Sequence, residues 1–80
     1  MKEYLIEAIK QEDNTVEESF DMYECPTKEK ALIEAKIIAD GGSSINPRLM
    51  GYTHIIVHEC ELDEYNLPVG CEEIASFVVK

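Results

Sequence analysis

The dipeptide Cys25-Pro26 constrains this chain more than any other feature. Proline forces the residue before it out of helical geometry, and Thr27 then stands where its hydroxyl can cap the free amides of a following turn. From Lys28 to Asp40 the apolar residues Ala31, Leu32, Ala35, Ile38 and Ala39 recur at three- and four-residue steps. That spacing predicts a helix with one core-facing stripe. Glu29 sits in its first turn, where the positive end of the helix dipole favours an acid. Gly41 supplies the left-handed residue that ends it, and Gly42 the loose exit.

On either side the pattern changes from helical spacing to alternation. Residues 2–11 place Tyr4, Ile6 and Ala8 on one face and Glu3, Leu5, Glu7 and Ile9 on the other. Leu5, Ala8, Ile9 and Glu12 also fit a helical stripe, but the short length and an alternating partner at 16–24 favour a strand. Glu12 to Thr15 read as a turn, with Asn14 the best candidate for unusual dihedrals, which makes the first two segments a β-hairpin. Residues 52–62, rich in β-branched side chains, read as the central strand. A last strand is predicted at 74–79, with either Ala75, Phe77 and Val79 or Ile74, Ser76 and Val78 facing the core. The predicted fold is α+β, a β-β-α-β-β chain whose antiparallel four-stranded sheet carries one helix packed on one face. Residues 1–80 form a single domain, and 45% apolar with 30% charged residues is the composition of a folded globular one.

Charge excludes several functions. Seven Lys and Arg face 17 Asp and Glu, a net charge of −10, so the long-range field repels phosphate and direct binding to nucleic acid or an anionic membrane is not expected. No apolar run approaches the about 20 residues needed to cross a bilayer, and no secretory leader is visible. With three cysteines at wide, irregular spacing, a disulfide framework is not expected and a reducing, cytoplasmic setting is. Each cysteine then acts as a small hydrophobe.

Chemistry finds little support. His54, His58, Cys60 and Cys71 could form a zinc or thiol site, but they contain no C-x2-C knuckle. On a strand, His54 and His58 would stand about 13 Å apart, too far to share one ion. Gly41-Gly42-Ser43-Ser44 follows a helix and precedes no lysine, the reverse of a phosphate-binding loop. Adjacent acids such as Glu72-Glu73 point to opposite faces of a strand and share no site. His58 beside Cys60 has no visible orienting group or oxyanion donor. Neither catalytic residues nor a cofactor or metal are expected.

Sidedness carries the functional argument. If Tyr4, Ile6, Ala8, Phe20, Met22, Ile56, Cys60 and Leu62 pack under the helix, the other sheet face is determined. It would carry Glu3, Glu7, Glu17, Asp21, Glu59 and Glu61 interleaved with Leu5, Ile9, Tyr23, Ile55 and Val57. Six acids and no base lie between Gln11 and Thr27, and six more with no base between Glu59 and Glu73. Such segregation costs self-repulsion that solubility alone does not require. An apolar strip rimmed by carboxylates suits a basic protein surface. The expected contacts are Glu3, Glu7, Glu17, Asp21, Glu59 and Glu61, which stand in for phosphates, with Tyr23 and Val57 as apolar anchors.

Tyr4-Leu5-Ile6 near the start, Ser19-Phe20-Asp21 in the second strand and Thr27 leading into Lys28–Asp40 give the chain a layout that resembles the small phage-encoded anti-CRISPR proteins. The resemblance implies a non-enzymatic inhibitor that blocks a nucleic-acid-handling complex, in some cases by occupying its cationic DNA or RNA channel. Asp21 to Pro26 followed by Lys28–Asp40 also resembles the strand-to-helix junction of strand–strand–helix antitoxins, without their usual glycine before the helix. Three functions follow as expectations: an acidic inhibitor of a basic nucleic-acid-binding complex such as a CRISPR effector; an antitoxin-like or self-associating accessory domain, monomer or homodimer; and a small zinc- or thiol-dependent protein using His54, His58, Cys60 and Cys71.

Overall fold

A computed structural model describes residues 2–12, 15–42 and 46–80, with residues 17, 18 and 20–23 given by backbone alone. The elements are β1 (Lys2–Glu12), β2 (Thr15–Cys25), α1 (Lys28–Ala39), β3 (His54–Leu62) and β4 (Pro68–Val78). The strands form one antiparallel sheet in the order β2-β1-β3-β4. The predicted helix and antiparallel strands are therefore present. The sheet, however, is curled into a half-barrel, and its spatial order is not the sequential one.

Curling has a local cause. Each outer pairing carries two register shifts, at Ile6/Glu7 and Lys10/Gln11 for β1–β2, and at Val57/His58 and Glu61/Leu62 for β3–β4. The extra residues are Glu17 and Met22 on β2, and Val69 and Ile74 on β4. A bulge bends its strand and increases twist, so the two edges roll while β1 and β3 pair without a break. The bulge at Ile74 also resolves the choice left open for β4: Ala75, Phe77 and Val79 pack on the core, and Ile74 joins them.

The helix forms as its caps dictate. Thr27 is extended, and its Oγ1 accepts a hydrogen bond from the Lys30 amide at 3.3 Å. At the other end the Gly41 amide donates to the Ile38 carbonyl and the Gly42 amide to the Ile37 carbonyl, at 3.1 and 2.9 Å. This pair of bonds is a Schellman motif, and it requires the left-handed φ of +84° that Gly41 adopts. The buried stripe is Ala31, Ala35, Ile38 and Ala39. Three alanines let the helix lie close to the sheet, and Ile38 is its one large, fully buried side chain. Beneath it lie Ile6 and Ala8 of β1, Ile55 and Val57 of β3, and Cys25 at the end of β2. The Lys80 amide donates to the Ala39 carbonyl at 3.0 Å, and the Val79 amide to the Thr53 carbonyl at 2.9 Å, which ties the chain end to the helix stop and the start of β3.

The central strand departs from the expected sidedness. Val57 pairs with Ile6 and Ile55 with Ala8, so Ile55 and Val57 lie under the helix, both fully buried. Ile56 and Cys60, expected under the helix, lie on the opposite face. A shift of one residue inverts every side chain of a strand, and the run Ile55-Ile56-Val57 gives no alternation from which the parity could be read. All three are buried: Ile55 and Val57 under the helix, and Ile56 on the outer face of a strand with neighbours on both edges. On β1 the expectation holds: Ile6 and Ala8 are fully buried and Tyr4 packs against the core. Among the β2 residues expected there, Phe20 pairs with Ala8 by backbone register, and the side chains of Phe20 and Met22 lie outside the described residues. Asn14, expected to adopt unusual dihedrals in the first turn, also lies outside them.

Candidate functional site

The face without a helix is assembled by register in four rows. Ser19, Ile9, His54 and Val78 form one; Asp21, Glu7, Ile56 and Ser76 the next; Glu24, Leu5, His58 and Glu73 the third; Glu3, Cys60 and Cys71 the last. No lysine or arginine falls in these rows. Lys2 and Lys10 occupy the helix-side positions of β1, and Lys28, Lys30 and Lys36 are on α1 or its first turn. Six of the seven strong cations thus lie on the helix side or at the helix stop, Lys80 through its contact with Asp40, while Arg48 is in the loop before β3; the reverse of the sheet holds acids and two histidines.

Its apolar members are less available than expected. Ile9 and Ile56 are 6% and 4% exposed and Cys60 is fully buried, although none belongs to the helix-side core. Leu5 is half-buried. The curled sheet brings these side chains together without a covering element. The apolar strip is therefore narrow, and the polar groups around it make most of the surface.

Two of the eight expected contact residues are described on this face: Glu3 and Glu7, both half-buried. Glu7 Oε1 lies 3.4 Å from His58 Nε2. Burial pushes the Glu3 carboxyl above the usual carboxylate range, and a hydrogen bond with the nearby Glu24 adds to the rise. Two carboxylates this close resist ionising together. Glu17, Asp21 and Tyr23 have side chains outside the described residues; by backbone register Asp21 pairs with Glu7, Tyr23 pairs with Ile6, and Glu17 is the extra residue of a bulge.

The remaining three lie elsewhere. Val57 is buried under the helix and cannot anchor a partner. Glu59 pairs with Tyr4 and Glu61 with Lys2, on the helix side of the sheet. Lys2 Nζ sits 2.8 Å from Glu59 Oε1 and 3.9 Å from Glu61 Oε1. The hydrogen bond from Lys2 holds the Glu59 carboxyl below its usual range, and the same bond raises the Lys2 ammonium. These two acids already have a cation. Sequence reasoning placed them on the wrong face for the same reason that it misplaced Val57, and it passed over Glu24 and Glu73, which the register puts on the acidic face.

The cysteines also differ from expectation. Cys60 and Cys71 stand opposite each other in register and are joined as a disulfide, while Cys25 is a buried free thiol. Burial pushes the Cys25 thiol above its usual value, the behaviour of an inert core cysteine. Joined to each other, Cys60 and Cys71 present neither a thiolate nucleophile nor thiolate ligands. His54 Nδ1 is instead 2.8 Å from Thr53 Oγ1. Among the described residues no group of three or more His, Cys, Asp or Glu could hold a metal ion, and no helix is long and apolar enough to cross a membrane. A cleft of about 260 Å³ lies at the end of the sheet between Lys2, Glu3, Glu24, Cys25, Pro26 and Leu62.

No protein-family model, curated protein or solved structure matches this chain. Fold and charge therefore define its class: a small α+β protein with one helix on a curled antiparallel sheet and an acidic outer face.

Proposed function

We propose that the protein is a non-enzymatic acidic inhibitor that lays the outer face of its sheet on a basic surface of a nucleic-acid-handling complex and blocks access of nucleic acid. The observation that carries this reading is the division of charge. Glu3, Glu7, Glu24 and Glu73 occupy strand positions on a face whose rows hold no lysine or arginine, and most of the strong cations lie on the helix side. Carboxylates spaced along neighbouring strands offer a cationic channel the charges it uses for phosphates, and complementarity of this kind mainly raises the association rate and selects the partner. A CRISPR effector is the partner class to which the layout points, through the resemblance to anti-CRISPR proteins. Glu59 and Glu61 are removed from the contact set, because Lys2 engages both.

The test uses purified CRISPR effector complexes and a labelled target DNA. The protein should compete with the DNA, and competition should weaken steeply with salt. The triple variant Glu3→Lys, Glu7→Lys, Glu24→Lys, checked for native secondary structure, should lose it, whereas Glu59→Lys with Glu61→Lys should retain it. Equal competition by the triple variant and the parent, or no competition in any complex, ends this reading.

A further inference from the structure

The Cys60–Cys71 bond joins a buried cysteine of an inner strand to an exposed one of an outer strand. The geometry points to a thiol-exchange site that is attacked at Cys71 and selects cationic thiols over anionic ones. This inference goes beyond the acidic-face reading and does not rest on it.

Direction of approach decides which sulfur reacts. Exchange requires a thiolate to arrive in line with the S–S bond, from the side away from the leaving sulfur. The bond here runs across the strands. Beyond Cys60 lies β1, with Glu3 paired to Cys60, and Cys60 is fully buried. Beyond Cys71 lies the outer edge of β4, to which no strand is paired among the described residues. An incoming thiolate therefore bonds to Cys71 Sγ. The Cys60–Cys71 bond breaks, its electron pair leaves on Cys60 Sγ, and that thiolate takes up a proton from water. The attacking thiol is oxidised to its half of a mixed disulfide, and Cys60 is reduced, so the only co-reactant is the thiol.

Charge selects the attacker. Glu72 and Glu73 follow Cys71 directly, Glu61 pairs with the preceding Gly70, and Glu3 pairs with Cys60. The nearby Lys2 already lies between Glu59 and Glu61, and Lys28 also acts on Glu59. A thiolate carrying further negative charge is repelled, and one carrying an ammonium is drawn in. The protein thiol that fits is a cysteine among lysines or arginines, the setting that also stabilises a reactive thiolate. Opening the bond leaves the fold in place. Neither cysteine belongs to the helix-side core, β3–β4 pairing continues on both sides, and Asp63 Oδ1 holds the turn by accepting from the Tyr65 and Leu67 amides.

The oxidised protein is treated with cysteamine, 2-mercaptoethanol or glutathione, quenched in acid, and mapped by peptide mass. Rates are divided by each reagent's thiolate fraction, and the urea-unfolded chain serves as control. On the folded protein cysteamine thiolate should react about tenfold faster than that of glutathione at low salt, and the gap should shrink at high salt. The adduct should sit on Cys71 with Cys60 as free thiol, and Glu72→Gln with Glu73→Gln should narrow the gap. Adducts on Cys60, a charge preference no larger than in the unfolded chain, or a bond that resists all three reagents would overturn the inference.

Discussion

Ile38→Ala tests how the helix is held. The buried stripe of α1 is Ala31, Ala35, Ile38 and Ala39, so nearly all of the large apolar area that the helix contributes comes from one side chain, with Leu32 half-buried beside it. The substitution deletes three carbons, worth about 2.4 kcal/mol at about 0.8 each. The space they leave adds a cavity cost, and the sum lies at about 3 to 4 kcal/mol where the surroundings relax little. Relaxation is restricted here, because Ile38 packs over Ile6, Ile55 and Val57, strand residues that are fully buried and fixed by ladders on both sides. A domain of 80 residues has in total about 4 to 12 kcal/mol, so the variant loses a large part of its stability. Urea unfolding followed by circular dichroism should show the midpoint falling with an unchanged slope, and thermal midpoints should drop by roughly 12 to 32 °C. Ile33→Ala is the control: Ile33 is 60% exposed and its loss should move stability by less than about 0.5 kcal/mol. An Ile38→Ala effect as small as that of Ile33→Ala would show that the helix does not dock through this residue, and the sidedness argument would fall with it.

Two further outcomes follow from the caps and carboxylates. Thr27→Ala removes the oxygen that accepts the Lys30 amide and should cost about 1 kcal/mol in the same urea assay, with Thr27→Ser restoring most of it. Glu3 and Glu59 should titrate in opposite senses. The Glu3 pKa is raised in the folded state, so the fold binds its proton more tightly than the unfolded chain does, and this residue's contribution to stability declines as pH rises from the ordinary carboxyl value through the raised one. Glu59 is lowered by Lys2; its contribution is present above the ordinary value and is lost as pH falls through the lowered one. Carboxyl-carbon chemical shifts should show the Glu3 midpoint above and the Glu59 midpoint below that of an unstructured glutamate, and Lys2→Met should return Glu59 upward. Coincident midpoints would refute both assignments.

Legibility tracked the strength of local rules. The helix was readable almost to the residue because three independent signals, Pro26, the Thr27 cap and Gly41, bracket one apolar stripe, and each acts through backbone geometry that tertiary context does not change. The β1–β2 hairpin was readable because its alternation is written in opposed residue types. The beginning of β4 was not: the alternation places the last strand at 74–79, yet β4 starts at Pro68, since an outer strand tolerates proline at its first position, where no ladder bond is needed. The Cys60–Cys71 link was hidden because it depends on pairing register, which an odd cysteine count argues against and does not determine.

The candidate site shows the same boundary between local and non-local information. Glu3 and Glu7 could be assigned to the outer face because β1 alternates. Glu59, Glu61 and Val57 could not, because β3 is apolar on both faces and its parity is set by which β1 residue it meets. Once Ile6 pairs with Val57, the whole acidic face follows: His54, His58 and Cys60 turn outward, Glu73 joins through its pairing with His58, and Glu59 moves to Lys2. A single pairing between two inner strands thus decides which acids line the outer face and which lie beside Lys2. Charge counted along the sequence cannot distinguish the two groups, since Glu73 lies in the same acidic run as Glu59 and Glu61, and Glu3 and Glu7 stand between Lys2 and Lys10. The division appears only when the strands are laid side by side, and for that reason the variants that discriminate between functions are those that separate Glu3, Glu7 and Glu24 from Glu59 and Glu61.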